Sequence, residues 1–459
     1  MEITSDIIVP EPVSSSIAIS LSEKEMEEAS PIPEGKLEWC IYKVPEWIKD
    51  LSNSQAYQPQ VVSLGPFHHG DAKLMPMEKH KERAVQNLVW GTLIRRGIHN
   101  PDEFSYEMFF SAVYEVAPSL EAAYGPDLDE QWRGKGNRHR FMEMMVRDGC
   151  FFLEVMRLNE AMDAQKAAGT PFDPADPVFS EHGFVYLFRP IQTDMLLMEN
   201  QLPLLLLKML ARCANYELGD WEMNNKVLHC LWRTDQDGIA LHAVGSDLGR
   251  HPLDLYHKSF CGVPEHQPGP QMTKPVMPSA LELYEAGIRF RATELDVLPG
   301  IDFQRGVLTI PTYTVDNFSE RVLLNLMAFE RLHARTQDNI TAYVIFMDNI
   351  IDTAKDVALL RKKNILVNGL GSDEEMAELF NNRLSKGAAM SLSSTLNHVH
   401  LQVDAHCKKR WNRWRANLKH TYFNNPWAFI SFIAALILLL ATLLQTSYSV
   451  VAYHRPPHS

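Results

Sequence analysis

The sequence predicts a mainly α-helical globular body with a small β element, followed by one C-terminal transmembrane helix. Three observations carry this reading. Long segments repeat apolar residues at helical spacing, as in FMEMMVRDGCFFLEVMRL from Phe141 to Leu158. One short stretch, IDFQRGVLTIPTYTV from Ile301 to Val315, alternates and carries a glycine at its bend. From Thr421 to Tyr453 no Asp, Glu, Lys, Arg or His occurs.

The chain has 459 residues, 46% of them hydrophobic and 22% charged, which is the composition of a globular protein with a sizeable core. Residues 1–35 stand apart. Eight acids (Glu2, Asp6, Glu11, Glu23, Glu25, Glu27, Glu28, Glu34) face one base, Lys24, so this segment reads as an acidic, disordered leader. It lacks the basic and continuous apolar regions of a signal peptide. The globular domain is expected over 36–420.

Near its start, VVSLGPFHHGDAKLMPMEKHK (Val61–Lys81) places His68 and His69 after a Gly65-Pro66 turn, with Gly70, Glu78 and His80 downstream. These side chains could nominally furnish metal ligands. Adjacent histidines tend to point apart, however, and the spacing matches no zinc motif. Hydrogen bonding within the loop, with Glu78 as acceptor, is the expectation, and no metal or other cofactor is called for.

The apolar positions 141, 144, 145, 151, 152 and 155 predict a helix over Phe141–Leu158. Asp148 falls within that stripe and needs a partner, because burying a lone carboxylate is costly. DMLLMENQLPLLLLKML (Asp194–Leu210) predicts a buried helix kinked at Pro203, whose ring removes a donor and clashes one turn back. Glu199, Asn200 and Gln201 stand just before that break, placed to bond backbone groups the kink frees.

The five prolines of GVPEHQPGPQMTKPVMP (262–278) mark a loop inside the domain. Ser279-Ala280-Leu281-Glu282 is a capping box that opens a helix. The hairpin with its bend at Gly306 follows, and then a helix begun by Asp316 or Ser319, with Val322, Leu323, Leu326 and Phe329 on one face.

The C-terminal run is long enough to cross a bilayer, and it predicts a membrane helix over 426–451 with a short tail at 452–459. Asn425 suits the N-cap and Pro426 the first helical position. Trp427 and Tyr448 suit the two interfaces. Just before the span stand Lys408, Lys409, Arg410, Arg413, Arg415 and Lys419, interleaved with Trp411 and Trp414, whereas only Arg455 follows it. This asymmetry places the body in the cytosol and the basic residues against anionic lipid head groups. Two N-glycosylation patterns, at Asn317 and Asn339, are then accidental.

Several functions are disfavoured. A net charge of −13 is wrong for a nucleic-acid partner. The six cysteines (40, 150, 213, 230, 261, 407) show no C-x-x-C spacing, which argues against a disulfide scaffold or a cysteine zinc cluster. No G-x-S-x-G, P-loop, G-x-G-x-x-G or H-E-x-x-H occurs. Asp148, Asp194 and Glu199 in apolar company remain candidates for a general acid or base, with a buried polar network as the favoured alternative.

Together, YKVP (Tyr42–Pro45), GPFHHG (Gly65–Gly70), MEKHK (Met77–Lys81), MVRDGCFFLE (Met145–Glu154) and DMLLMENQLP (Asp194–Pro203) resemble the plant family called domain of unknown function 247. So do ELYEAGIRF (Glu282–Phe290), GVLTIP (Gly306–Pro311) and NLMAFE (Asn325–Glu330), in the same order and followed by the membrane span. Leu64, Leu324 and Arg331 depart mildly from the family's usual wording. The resemblance implies a plant membrane protein without established enzymatic activity, and it carries over no catalytic residue. Some grass relatives are linked to self-incompatibility as pollen-side recognition determinants, which implies a protein partner at the plasma membrane. The expectation is therefore a single-pass recognition or signalling protein. The competing reading is a membrane-tethered, hydrolase-like enzyme that uses the buried carboxylates with the His68/His69 loop.

Overall fold

The structure is a computed structural model that describes residues 39–97, 106–164, 173–231, 245–261, 277–293, 300–334, 336–388, 396–409 and 426–454. The acidic leader, all but the end of the proline-rich loop, and Arg410, Trp411, Arg413, Trp414 and Arg415 lie outside these residues. The architecture is mainly helical with few, short strands, as the sequence predicts. In its first half come α1 (Glu46–Leu51), α2 (Met75–Arg96), α3 (Tyr106–Tyr114), α4 (Ala117–Tyr124), α5 (Arg138–Ala164), α6 (Glu181–Asp194), α7 (Leu204–Cys213), α8 (Asp220–Leu231) and α9 (Pro252–Cys261).

α5 organises this half. Its predicted stripe is wider than one face, since Phe141, Met142, Met144, Met145, Val146 and every residue from Cys150 to Met156 are buried. A helix apolar nearly all round belongs at the centre of a bundle, and α2, α3, α7 and α8 all pack on it. Gly149 sets the approach of α7. A Cβ there would stand 2.3 Å from Leu210 Cδ1, so any side chain would force Leu210 to shift.

The expected kinked helix over Asp194–Leu210 is instead two helices. α6 stops at Asp194, residues 195–203 form an irregular connection, and α7 starts at Leu204 behind Pro203, which has φ −58° and ψ 133°. Proline excludes the helical conformation from the residue before it as well as removing a donor. Here the side chains of Asn200 and Gln201 supply other partners for the connection's backbone, so the chain breaks rather than bends.

The second half holds α10 (Ala280–Glu285), β1 (Arg289–Thr293), β2 (Asp302–Gln304), β3 (Val307–Pro311) and β4 (Tyr313–Val315). It continues through α11 (Ser319–Leu332), α12 (Asn339–Ile350), α13 (Ala354–Lys362), β5 (Leu366–Asn368), α14 (Asp373–Glu378) and α15 (Asn397–Cys407). Both bonds of the Ser279/Glu282 capping box are present. β2 and β3 form the predicted hairpin, with Arg305 and Gly306 at φ 50° and 78°, the left-handed pair a two-residue turn requires. β1 adds to β3 in parallel, Arg289 opposite Val307, and β4 pairs in parallel with β5. No local pattern announces either pairing. On α11 the apolar face is joined by buried Arg321, Asn325 and Glu330. That helix packs on α12 and on a π-helical turn at Leu379–Leu384.

The last helix, α16 (Pro426–His454), contains the predicted span. Ile430–Val451 has a mean hydropathy of 2.1 over its most apolar window, none of it buried against the rest of the chain. The side chain of Trp427 lies outside the described residues.

Candidate functional site

The sequence candidates Asp148, Asp194, Glu199, Asn200 and Gln201 converge with the GPFHHG loop in one buried polar network. The connection after α6 supplies its centre. Asn200 Oδ1 accepts from Leu64 N at 2.6 Å, while its Nδ2 donates to Val62 O (3.0 Å) and Asp194 O (2.9 Å). Gln201 Nε2 donates to Met195 O and Leu197 O, and its Oε1 accepts from Leu253 N at 2.8 Å. Asn200 and Gln201 make the expected bonds to freed backbone, and Asn200 also reaches a segment more than a hundred positions away, whereas Glu199 accepts from Val44 N instead.

Each carboxylate is met by groups of the protein's own. Asp194 accepts from Gln60 N, Val61 N and Val62 N at 2.6–3.0 Å and from Arg321 Nη2 at 3.2 Å. Asp148 accepts from Gly65 N at 2.8 Å and pairs with Lys81 Nζ at 2.7 Å. Glu199 accepts from Val44 N at 2.7 Å and pairs with Lys49 at 3.0 Å and with His68 Nε2 at 3.3 Å. Burial pushes the Asp148 and Asp194 carboxyls above their usual range, against the pull of Lys81 on the first and of the three backbone N–H groups on the second. Burial also raises Glu199, but His68 and Lys49 outweigh it and hold that carboxyl below its usual range.

His68 and His69 do point apart. His68 faces Glu199, and the ring of His69 meets the edge of Trp132 with centroids 5.3 Å apart. Burial lowers the His69 pKa. Glu78 does not serve either histidine as the loop's acceptor; it pairs with Lys81 at 2.6 Å. His80 lies buried on α2. The four nominal ligands therefore do not gather.

Gly65 is closely enclosed by this network. Its φ of +73° is left-handed, and a Cβ there would lie 2.7 Å from Tyr124 Oη and 3.0 Å from Gln201 O. Tyr124 Oη itself donates to Gln201 O at 2.8 Å. Pro66 is buried beside it, and Gly70 is exposed at the loop's end.

Sequence reasoning missed four members of this network. Lys81 is wholly buried and neutralises Asp148. Arg321 and Asn325 reach in from α11, the latter donating to Ala56 O and accepting from Met198 N. His251 donates through Nε2 to Cys40 O and receives Asp254 N on Nδ1. Burial drops its pKa to about 4, so the ring is neutral. The demand for a partner to Asp148 was legible, but nothing local identified Lys81 as that partner.

Chemically, this arrangement is a clamp. A general base needs a lone pair aimed at a substrate proton, whereas these oxygens already hold backbone N–H groups, lysines, a histidine and an arginine. Asp148, Asp194 and Glu199 are 1%, 0% and 5% exposed. What the clamp accomplishes is to fasten residues 44–65 to the connection before α7 and to α5.

By fold and clamp, this is a helical-bodied protein carrying an exposed apolar C-terminal helix. The chain belongs to the DUF247 family, described as "Plant protein of unknown function", whose model matches residues 41–441. It is similar to UPF0481 protein At3g47200 of Arabidopsis thaliana, 29% identical over 445 residues that cover 91% of this chain and 88% of the relative. It is also similar to Putative UPF0481 protein At3g02645 of the same plant, 31% identical over 178 residues, 38% of this chain and 34% of that one. No solved structure matches.

Proposed function

We propose that this protein is a single-pass, C-terminally anchored membrane protein whose cytosolic body acts by contact with another protein rather than by catalysis. The observation that carries the anchor is Ile430–Val451, an apolar helix in whose most apolar window no residue is buried. Water does not tolerate such a surface. The basic residues before the span and the lone Arg455 after it favour a cytosolic body at an anionic leaflet, with the plasma membrane as the expected site. No observation favours the hydrolase reading, because the carboxylates it needs are occupied by donors of the protein's own.

Deleting Pro426–Ser459 tests the anchor. The truncated chain is expected in the soluble fraction, and its retention in membranes after a carbonate wash refutes the assignment.

For the partner, the surface to probe is the cleft of about 550 Å³ beside α2, lined by Arg83, Asn87, Arg157 and Asp176. Trp90 and Ile94 flank it at 63% and 66% exposure, large apolar groups of the kind that anchor interfaces. A photocrosslinking residue in place of Trp90 should give one discrete adduct in native membranes. Diffuse labelling refutes this surface. The finer reading, a pollen-side recognition determinant of self-incompatibility, rests on the resemblance to grass relatives. It requires that loss of the protein change self-pollen acceptance.

A further inference from the structure

We propose that His257, Cys261 and Glu330 form a binding site for a thiophilic divalent metal ion of the zinc class, tying α9 to α11. Among the described residues, this is the one group of His, Cys, Asp or Glu side chains whose ligand atoms gather, all within 4.8 Å of one another. His257 and Cys261 stand one turn apart on α9, so both side chains project from the same face. Glu330 reaches them from α11. The three residues are 4%, 7% and 8% exposed.

The geometry distinguishes a metal site from a catalytic relay. A Cys–His–carboxylate triad uses opposite ring nitrogens, with the nucleophile on one and the acid on the other. Here Cys261 Sγ (3.4 Å) and Glu330 Oε1 (2.8 Å) both approach the same atom, His257 Nε2. One proton on that nitrogen cannot point at both. Three ligand atoms gathered within 4.8 Å of one another are instead the arrangement a metal uses. With bonds of about 2.3 Å to sulfur and about 2.0–2.1 Å to nitrogen or oxygen, tetrahedral neighbours lie roughly 3.3–3.6 Å apart. The sulfur–nitrogen separation already satisfies this, and the nitrogen–oxygen separation needs to open by about half an ångström.

The surroundings of Glu330 match the same purpose. Its Oε1 accepts from Ile340 N at 2.8 Å, and its Oε2 from Thr341 N at 2.9 Å and Thr341 Oγ1 at 2.6 Å. These bonds fix the carboxylate and leave only the His257-facing position of Oε1 for an ion, the outer support that metal ligands ordinarily have. Binding is balanced in charge and protons. The ion needs His257 Nε2 free of its proton and Cys261 as the thiolate, so whatever protons these two ligands carry are released as the dication enters. Three protein ligands leave a fourth position for a small ligand such as water.

Cobalt(II) is the probe, because a cobalt–thiolate bond gives a charge-transfer absorption and a tetrahedral site gives strong visible bands. Full-length protein in detergent, without a polyhistidine tag, is titrated with Co²⁺ and then with Zn²⁺. The expected result is one equivalent of cobalt with a thiolate band, displaced by zinc and absent from Cys261→Ser. Cys150→Ser serves as the control and should keep the band. Thr341→Val, which removes only an outer hydrogen bond, should weaken binding roughly 10–100-fold while leaving the fold intact. A protein that binds no cobalt in this way, or whose thiolate band survives Cys261→Ser, overturns the proposal and leaves His257–Glu330 as a plain buried ion pair.

Discussion

Replacing Asp148 with alanine tests the clamp most directly. The substitution removes the acceptor of Gly65 N at 2.8 Å and the partner of Lys81 at 2.7 Å. Lys81 is wholly buried, so its ammonium has no route to solvent. Breaking a buried pair by removing one partner costs about 3–5 kcal/mol, and an orphaned buried donor about 1–3 kcal/mol. The two do not add fully, because Lys81 keeps Glu78 at 2.6 Å and Ser63 Oγ at 3.2 Å. The lower end, about 3 kcal/mol, is the expectation. For a chain of this length the unfolding entropy is on the order of 0.8–1 kcal/mol/K, so the melting temperature should fall by about 3–4 °C. Asp148→Asn keeps an acceptor for Gly65 N and should fall less. A double Asp148→Ala/Lys81→Met variant removes both wholly buried charges, though Glu78 loses its partner at 2.6 Å, and it should recover part of the loss. The assay is thermal melting of the full-length protein in detergent. A melting temperature unchanged or raised in Asp148→Ala refutes the clamp, and it would revive an active-site role, since removing strained catalytic groups is often neutral or stabilising.

Gly65→Ala should destabilise by about 1–3 kcal/mol from its left-handed backbone alone. Adding Tyr124→Phe should relieve only the contact with Tyr124 Oη, and full recovery in the double variant would show that the backbone conformation costs nothing. Acid sensitivity should come partly from Glu199 and Asp176, whose carboxyls are held below their usual range against burial, by His68 and Lys49 in the first and by Phe179 N and Arg83 in the second. A depressed carboxyl contributes stability above its unfolded pKa, about 4.3 for Glu and 3.9 for Asp, that is lost as pH falls through the folded value. Melting temperature should therefore drop below about pH 4.5, less steeply in Glu199→Gln and Asp176→Asn; parallel curves for variants and wild type would contradict the assignment. With the body cytosolic, neither exposed Asn317 nor Asn339 at the start of α12 should carry sugar, and a glycosidase-sensitive mass shift abolished by mutating either would place the body outside.

What the sequence determined by itself is whatever is encoded within about one turn of helix or one hairpin. The apolar period from Phe141 to Leu158, the Ser279/Glu282 capping box, the Gly306 bend and the charge-free C-terminal run each act through neighbours a few positions away, so each was legible from the residues alone. Asp148 also announced that it needed a partner. Which partner it found was decided by tertiary structure, because Gly65 lies 83 positions away and Lys81 on another helix. The same holds for the break after Asp194. Pro203 forbade a regular helix there, but whether the chain bent or opened depended on Leu64, Leu253 and Asn325, which receive or supply the connection's bonds from elsewhere. The parallel pairing of β1 with β3, and Glu330 brought 73 positions to His257, are likewise invisible along the chain. Local periodicity reports where a residue faces, whereas charge neutralisation and donor satisfaction in a core are contracts between distant segments, settled only when the chain closes on itself.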